Sequence, residues 1–428
     1  MGTTTILRDA ALDERVTRRV FPSGLTVYAA RKPEFARSYA TVGIRYGSLD
    51  LEAPGPRGPL RVPDGTAHFL EHKVFATPDG DAFDLFAAKG ASANAFTSFS
   101  STRYLFGGTG EYRANLKTLL DMVLSLHVTP ESVAKERGII GQEIAMYQDD
   151  AEWRIYFGLL QSLYARHPLR IDIAGTGRTI ARITPELLRS VHAAYYHPGN
   201  MALAAVSPEP EEATFRVVES VLEGRAFGPR PLLRRRAVRE PRGATRAARR
   251  VHLAVKRPRL LLGFKDEAPR RAGLPLLRRE IATTLALDCL FGNSGSVFLS
   301  LYERGLVDEH FSYSYSADVG YGFAMVGGEA DDADRLRRAL EDEMARAVRR
   351  GLSRAEFRRV RNKALGDFAR AYNAPESIAH MLVSNHFRGT RVSDYRKTLF
   401  ALERAELNRR LATLLSPRVR AYSVVVPR

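Results

Sequence analysis

From Gly224 to Arg250 the chain reads GRAFGPRPLLRRRAVREPRGATRAARR, and the hydrophobic periodicity that marks helices and strands stops there. Proline and glycine punctuate the stretch, and arginine fills much of the rest. A segment of this kind cannot enter a core, so it divides the 428 residues into two parts of ordinary domain size. The expected division is a first domain over 1–225, a linker over 226–250 and a second domain over 251–428. From Arg225 to Arg259, thirteen Lys and Arg stand against one acid, Glu240, which accounts for +12 of the net +17. Arginine outnumbers lysine along the whole chain, 56 to 9, so the excess reads as coding bias in a solvated linker rather than as a nucleic-acid surface.

On both sides of the linker the pattern is mixed. In the first part RRVFPSGLTVYAA reads as a hairpin and YATVGIRYGS as a further strand. TAHFLEHKVF and DAFDLFAAKG carry helical spacing, and ASANAFTSFSSTRYLFGG returns to β character. Helices are predicted at NLKTLLDMVLSLHV, PESVAKERGIIGQEIAMY and PELLRSVHAAYY. The last two open on Thr129-Pro130-Glu131 and Thr184-Pro185-Glu186, where Thr caps, Pro suits the first helical position and Glu favours the positive end. The second part runs from strands RVHLAV and LLLGFKDE through helices and strands to an extended AYSVVVP. The order of strands and helices is similar in the two parts, which points to an α+β fold of two related domains.

Several classes are excluded by composition. Hydrophobic residues at 45% and charged residues at 26% rule out a mostly disordered chain. The single cysteine, Cys289, rules out an intrachain disulfide framework and a multi-cysteine metal site, and its apolar neighbours place it in a core. No stretch approaches 18 apolar residues, so a membrane span is not expected. MGTTTILRDAALDER lacks the apolar core of a signal peptide and has Ile6 where a myristoylation signal needs Ser or Thr, so a cytoplasmic location is expected.

The chemistry concentrates in His68-Phe69-Leu70-Glu71-His72. Two histidines four apart on a helix project from one face, one turn apart, as two imidazoles must to reach one metal ion. Glu71 sits beside the second histidine, where its carboxylate can take a proton from a water at the metal without being a ligand. A hydrolytic zinc site needs a third protein ligand. The helix after Pro130 offers Glu136 and Glu143, two turns apart on a face shared with Ile139 and Ile140. One can ligate; the other can hold a ligand or the substrate from behind. His197, before Pro198, reads as a capping or packing residue, and Trp153 as a core anchor rather than a substrate-facing aromatic.

Four stretches together, GTAHFLEHKVF, GASANAFTSFSSTRYLF, KERGIIGQEIAMYQDD and YYHPGNM, make the chain resemble the pitrilysin/insulinase family of zinc peptidases, in its short bacterial, processing-peptidase-like branch. The resemblance covers essentially the whole chain and is strongest from Gly65 to Met201. It implies two similar halves, each a mainly antiparallel sheet packed with helices. It implies Zn2+ held by His68, His72 and Glu143, with Glu71 as general base and Glu136 as the supporting acid of the catalytic group. It also implies that Asn94, Ala95 and Phe96 lie on an edge strand to which an extended peptide adds.

One departure matters. Active members of the family carry an Arg and, seven residues on, a Tyr in a C-terminal half. The matching stretch here, LSLYERGLVDEHFSY, puts Tyr302 at the Arg position and Asp308 near the Tyr position, with Tyr313 and Tyr315 following. The resemblance therefore implies a heterodimer in which a homologous subunit without a zinc motif supplies the Arg/Tyr pair. The expected activity is endopeptidase cleavage of short or unfolded peptides admitted to an internal chamber, with leader-peptide removal from ribosomally made peptide natural products as its task. General oligopeptide degradation and a non-catalytic structural role are the competing readings.

Overall fold

Alternating apolar residues build two sheets, one on each side of the Arg/Pro stretch. The computed structural model describes residues 2–10, 12–54, 58–78, 80–230, 235, 237–267, 269 and 271–428, so part of the expected linker, 231–234 and 236, lies outside the described residues. The first sheet contains β1 (Thr3–Asp9), β2 (Glu14–Val20), β3 (Thr26–Arg31), β4 (Ser38–Ile44), β5 (Ala91–Thr97), β6 (Thr102–Gly108) and β7 (Met201–Ser207). Their spatial order is β1-β2-β3-β7-β4-β6-β5. The expected hairpin is β2–β3, closed around Phe21–Leu25 with Val20 opposite Thr26. The second sheet contains β8 (Ala248–Leu253), β9 (Arg259–Lys265), β10 (Ser312–Asp318), β11 (Tyr321–Glu329) and β12 (Arg420–Pro427), in the order β8-β12-β9-β11-β10.

The two orders are one topology used twice. Leaving β1 and β2 aside, the first strand of each sheet pairs in parallel with the last, β3 with β7 and β8 with β12. The remaining pairs, β7–β4, β4–β6 and β6–β5 in one sheet and β12–β9, β9–β11 and β11–β10 in the other, are antiparallel. The fold is thus α+β with two similar sheet-and-helix units, to the first of which β1 and β2 add an extra edge.

The helices α1 (Thr66–Val74), α2 (Ala82–Ala87), α3 (Tyr112–Val123), α4 (Pro130–Asp149), α6 (Pro185–Tyr195) and α7 (Glu211–Leu222) cover one face of the first sheet. The α3 helix stops at Val123, so LSLHV, predicted to continue it, does not. Thr129 and Thr184 cap α4 and α6 as expected, accepting from the N–H of Ser132 and Leu187. His197 likewise accepts from the N–H of Gly199 at 3.0 Å. In the second unit α8 (Leu274–Phe291), α9 (Ser296–Glu303), α10 (Ala333–Arg350), α11 (Arg354–Arg370), α13 (Val392–Phe400) and α14 (Arg404–Leu414) build the core that buries Cys289. The stretch Leu274–Glu303 is, by length and composition, apolar enough to cross a membrane, but 67% of its apolar window is buried inside this core.

The other face of each sheet is covered from the opposite half. Helix α5 (Ala151–Leu163) leaves the first half and lays Phe157, Leu159, Leu160 and Leu163 over the second sheet, against Tyr321, Phe323 and Ala421. Helix α12 (Pro375–Arg388) returns from the second half and lays Ile378, Ala379, Leu382 and Val383 over the first, against Tyr28, Tyr39 and β7. Covered on both faces, β4 and β7 are buried along their whole length. Matching glycines make room for the crossing helices: a Cβ on Gly43 of β4 would stand 2.5 Å from Val383 Cγ1, and one on Gly263 of β9 would stand 2.7 Å from Leu159 Cδ1. Arginines of the basic stretch also bind the halves: Arg235 pairs with Asp50 of the first at 2.7 Å and Asp318 of the second at 3.7 Å, and Arg259 pairs with Glu152 at the start of α5.

Polar contacts fix α12 on the sheet. Arg103 donates to His380 Nδ1 at 2.8 Å and to Ser384 Oγ at 2.7 Å. A ring nitrogen that accepts from a guanidinium cannot carry a proton, so His380 is neutral with its proton on Nε2, directed at Tyr39 Oη 2.8 Å away. Burial, and then the Arg103 charge, push its pKa from 6.5 down to about 4.

Two predictions follow from this crossing. Val383 is stiff at χ1 and cannot swing aside, so Gly43→Ala should cost about 1–3 kcal/mol in urea unfolding. Part of that loss should vanish in a Val383→Ala background, where the Phe387 ring, 2.9 Å from the same Cβ, remains. The second concerns acid. With its folded pKa at about 4 against 6.5, His380 binds fewer protons folded than unfolded between those values. Its share of stability is therefore complete above about pH 6.5, is lost progressively down to about pH 4 and changes no further below. Buried Glu280, raised to about 7, works in the opposite direction, so the comparison is with a variant. The melting temperature of His380→Gln should fall less than wild type between pH 6.5 and pH 4.

Candidate metal centre

Helix α1 carries His68, Glu71 and His72, and α4 packs across it with Glu136 and Glu143. Each carboxylate oxygen of Glu143 faces one imidazole: Oε1 lies 3.6 Å from His68 Nε2 and Oε2 lies 3.6 Å from His72 Nε2. These separations exceed hydrogen-bond length, so the three groups converge without bonding one another. A tetrahedral centre about 2.0–2.1 Å from each ligand atom has edges of about 3.3–3.4 Å, so these groups stand a few tenths of an ångström wider than ligation would hold them. Among the described residues, His68, His72 and Glu143 are the one group of three or more His, Cys, Asp and Glu whose donor atoms lie within 4.8 Å of one another.

Glu136 acts on the far side of His72. His72 Nδ1 donates to Glu136 Oε1 at 3.0 Å, and Lys73 Nζ approaches Glu136 Oε2 at 3.4 Å. Burial raises the Glu136 pKa, but the His72 hydrogen bond and the Lys73 charge outweigh it and hold the carboxyl below its ordinary value. A carboxylate at Nδ1 fixes the proton there and leaves the Nε2 lone pair directed at the shared point. Burial also works to lower the His72 pKa, and the Glu136 hydrogen bond reverses the sign and raises it. His68 has no such partner: burial, followed by the charge of His72, brings it down to about 4, and its buried Nδ1 makes no hydrogen bond. Two neutral-capable imidazoles and one carboxylate, spaced for a tetrahedral ion, are a donor set that fits zinc.

Glu71 lies beside this cluster, close enough to feel the charges of His72 and Glu143, and bonds to the sheet. Its carboxylate is buried, and Oε2 accepts from Thr97 Oγ1 at 2.5 Å. Burial raises its pKa, with Thr97 opposing. Thr97 ends β5, which pairs only with β6 among the described residues and so forms an edge of the first sheet. Ser92, Asn94 and Phe96 alternate along β5 as its exposed positions, Phe96 at 42%. Asn94 Oδ1 accepts from its neighbour Ala95 N–H at 2.8 Å.

Residues 58–177 match the family described as "Insulinase (Peptidase family M16)", and residues 182–364 match "Peptidase M16 inactive domain". The chain is 40% identical over 378 residues, 88% of each protein, to "Uncharacterized zinc protease YmfH" of Bacillus subtilis. This chain belongs to the insulinase family of zinc proteases. A solved structure described as a putative M16-like peptidase from Alicyclobacillus acidocaldarius superposes with a TM-score of 0.92 at 35% identity, over 100% of this chain and 99% of that one. "Coenzyme PQQ synthesis protein F" of Pseudomonas aeruginosa is 31% identical over 305 residues, 67% of this chain and 36% of that protein.

Other expected positions fall differently in this insulinase-family chain. Ile140 is fully buried, but Ile139, expected on the apolar face, is 46% exposed. The α4 face is therefore apolar only on the side toward the core. Tyr302 is exposed, and Asp308 pairs with Arg257 at 3.1 Å. Tyr313 donates to Asp288 at 2.7 Å and Tyr315 to Asp266 at 2.6 Å, so carboxylates of the second half hold both hydroxyls. Thr97, Lys73 and Tyr147 are site residues that the sequence reading passed over. Tyr147 donates to Glu143 Oε1 and lies one turn beyond it on the same helix face, a spacing that could have flagged it.

The geometry makes Glu136 testable apart from catalysis. Glu136→Gln replaces the fixed acceptor at His72 Nδ1 with a neutral amide. Zinc affinity, read by competition with a chromophoric chelator, should weaken about 10- to 100-fold.

Proposed function

We propose that the chain is the zinc-bearing subunit of a paired endopeptidase that cuts short or unfolded peptides. The observation that carries this reading is the hydrogen bond from Thr97 to Glu71 beside the converging His68, His72 and Glu143. It ties a buried carboxylate, next to a metal-competent cluster, to the end of an exposed strand edge.

In this reading His68, His72 and Glu143 hold zinc. When bound, zinc supplies Lewis acidity toward the scissile carbonyl and makes water acidic near neutral pH. An extended peptide adds to β5 through its main chain at Asn94, Ala95 and Phe96. Only an unfolded segment presents a free backbone for that pairing. With Thr97 occupying Oε2, Glu71 Oε1 receives the proton of the attacking water and returns it to the leaving amide nitrogen. The pKa of Glu71, raised by burial, suits a carboxylate that must both take and give a proton near neutral pH.

The oxyanion donors come from a homologous partner, because the residues at the expected positions here are Tyr302 and Asp308, and Tyr313 and Tyr315 are already engaged. A relative named for coenzyme PQQ synthesis supports a biosynthetic task. We take that task to be removal of leader segments from ribosomally made peptide precursors in the cytoplasm.

The test is mass-spectrometric cleavage of a peptide library by the zinc-loaded chain, alone and with a homologue that lacks the zinc motif. Cleavage should require both chains. Glu71→Gln should lower the rate about 10²- to 10⁴-fold while stoichiometric zinc is retained. Cleavage by the chain alone would remove the heterodimer from the reading. Cleavage that survives Glu71→Gln would remove the general base.

A further inference from the structure

Helices α1 and α4 contribute ligands to one point, yet they are separate in sequence and meet through packing and the contacts of Glu136 with His72 and Lys73. A second route joins them behind the site. Tyr147, whose hydroxyl donates to Glu143 Oε1, stacks on Trp153 with ring centroids 4.1 Å apart and planes 11° from parallel. Trp153 stands at the start of α5, and its indole Nε1 donates to Asp172 Oδ2. The other oxygen of Asp172 accepts from the N–H of Ala174 at 2.9 Å, closing a turn.

That turn lies against the beginning of α1. Gly65 precedes the helix with φ +93°, and a Cβ there would stand 2.5 Å from the Ala174 carbonyl oxygen. Gly175, at φ +75°, comes equally close to the chain on the other side, where a Cβ would stand 2.5 Å from the Asp64 carbonyl oxygen. Only glycine permits both the backbone conformation and the contact. The loop that receives Trp153 is therefore the loop that seats the helix carrying His68 and His72.

We infer that Tyr147, Trp153 and Asp172 form a brace that sets the orientation of the Glu143 carboxylate relative to the two histidines. Tyr147 occupies Oε1, which leaves Oε2 the freer oxygen and disposes the carboxylate to ligate through one atom rather than two. Trp153 fixes the tyrosine ring by stacking, and Asp172 fixes the indole from the loop that positions α1. These are positioning residues; none touches the reacting atoms. The inference rests on the metal reading above and deepens it.

The experiment measures metal binding rather than turnover. Zinc dissociation constants of the full chain are compared by chelator competition for wild type, Tyr147→Phe, Trp153→Phe and the double variant. Each single change should weaken zinc about 10- to 100-fold. Because the two residues act in series, the double variant should bind within about twofold of Trp153→Phe alone. Cobalt(II) adds a spectroscopic reading: its visible d–d bands should lose intensity in Tyr147→Phe as the released carboxylate engages through both oxygens and the coordination number rises. A Tyr147→Phe chain that binds zinc as tightly as wild type and keeps the wild-type cobalt spectrum would overturn the brace. Tyr147→Phe deletes one hydroxyl, so it decides the matter alone if Trp153→Phe folds poorly. A wild-type chain that takes up no zinc would overturn the metal reading itself, and the brace with it.

Discussion

A carboxylate on one helix has to meet two imidazoles on another, and the first half of this protein is arranged around that requirement. Glu143 lies 3.6 Å from each of His68 and His72, a spacing that a slip of one residue along α4 would destroy. The helix is held in register at several places. Its start is closed by the capping box of Thr129 and Ser132, and its middle is buried at Ile140. Two turns apart, Glu136 bonds Nδ1 of His72 at 3.0 Å and Glu143 faces Nε2 of the same ring at 3.6 Å. The bond to Glu136 holds the ring with its other nitrogen toward Glu143, and turning the ring breaks that bond. The register of α4 and the orientation of His72 are therefore one constraint.

Much of this was legible in the sequence because it depends on helical spacing. His68 and His72, four apart, and Glu136 and Glu143, seven apart, share faces by geometry alone. The Thr-Pro-Glu helix starts and the hairpin around Phe21–Leu25 are local chemistry, and both appear in the structure. What spacing does not give is which side of a face meets the core. Ile139 and Ile140 differ by one position and end on opposite sides of that boundary. Thr97 was invisible for a related reason. Its partner, Glu71, lies 26 residues away on an element of different type, and no periodicity links a strand end to a helix.

The crossing of α5 and α12 was also hidden. The division at the Arg/Pro stretch follows where periodicity stops along the chain, but the cores follow packing. An amphipathic pattern declares that a helix buries one face without naming the sheet that receives it. The clue was in Gly43 and Gly263, which sit in equivalent strands of the repeated topology. Glycine weakens a strand interior unless something approaches closely, and here each one admits a helix from the opposite half. With each sheet sealed by the other half's helix, separating the halves would expose the cores of both.

This sealing bears on the site through α5. A single residue, Asp150, caps the end of α4 and the start of that helix, so the helix carrying Glu143 leads directly into the one clamped on the second sheet. Trp153 lies at the junction and faces back toward Tyr147. The second half carries no metal-ligating cluster among the described residues, yet it anchors the segment that steadies the Glu143 side. On this view the second unit is more than a duplicated scaffold. It immobilises one of the two helices that must converge, and the first half returns the contact by offering Arg103, Tyr28 and Tyr39 to α12. A substitution deep in the second sheet, beneath Leu159 or Leu160, therefore lies on a continuous mechanical path to the carboxylate of Glu143.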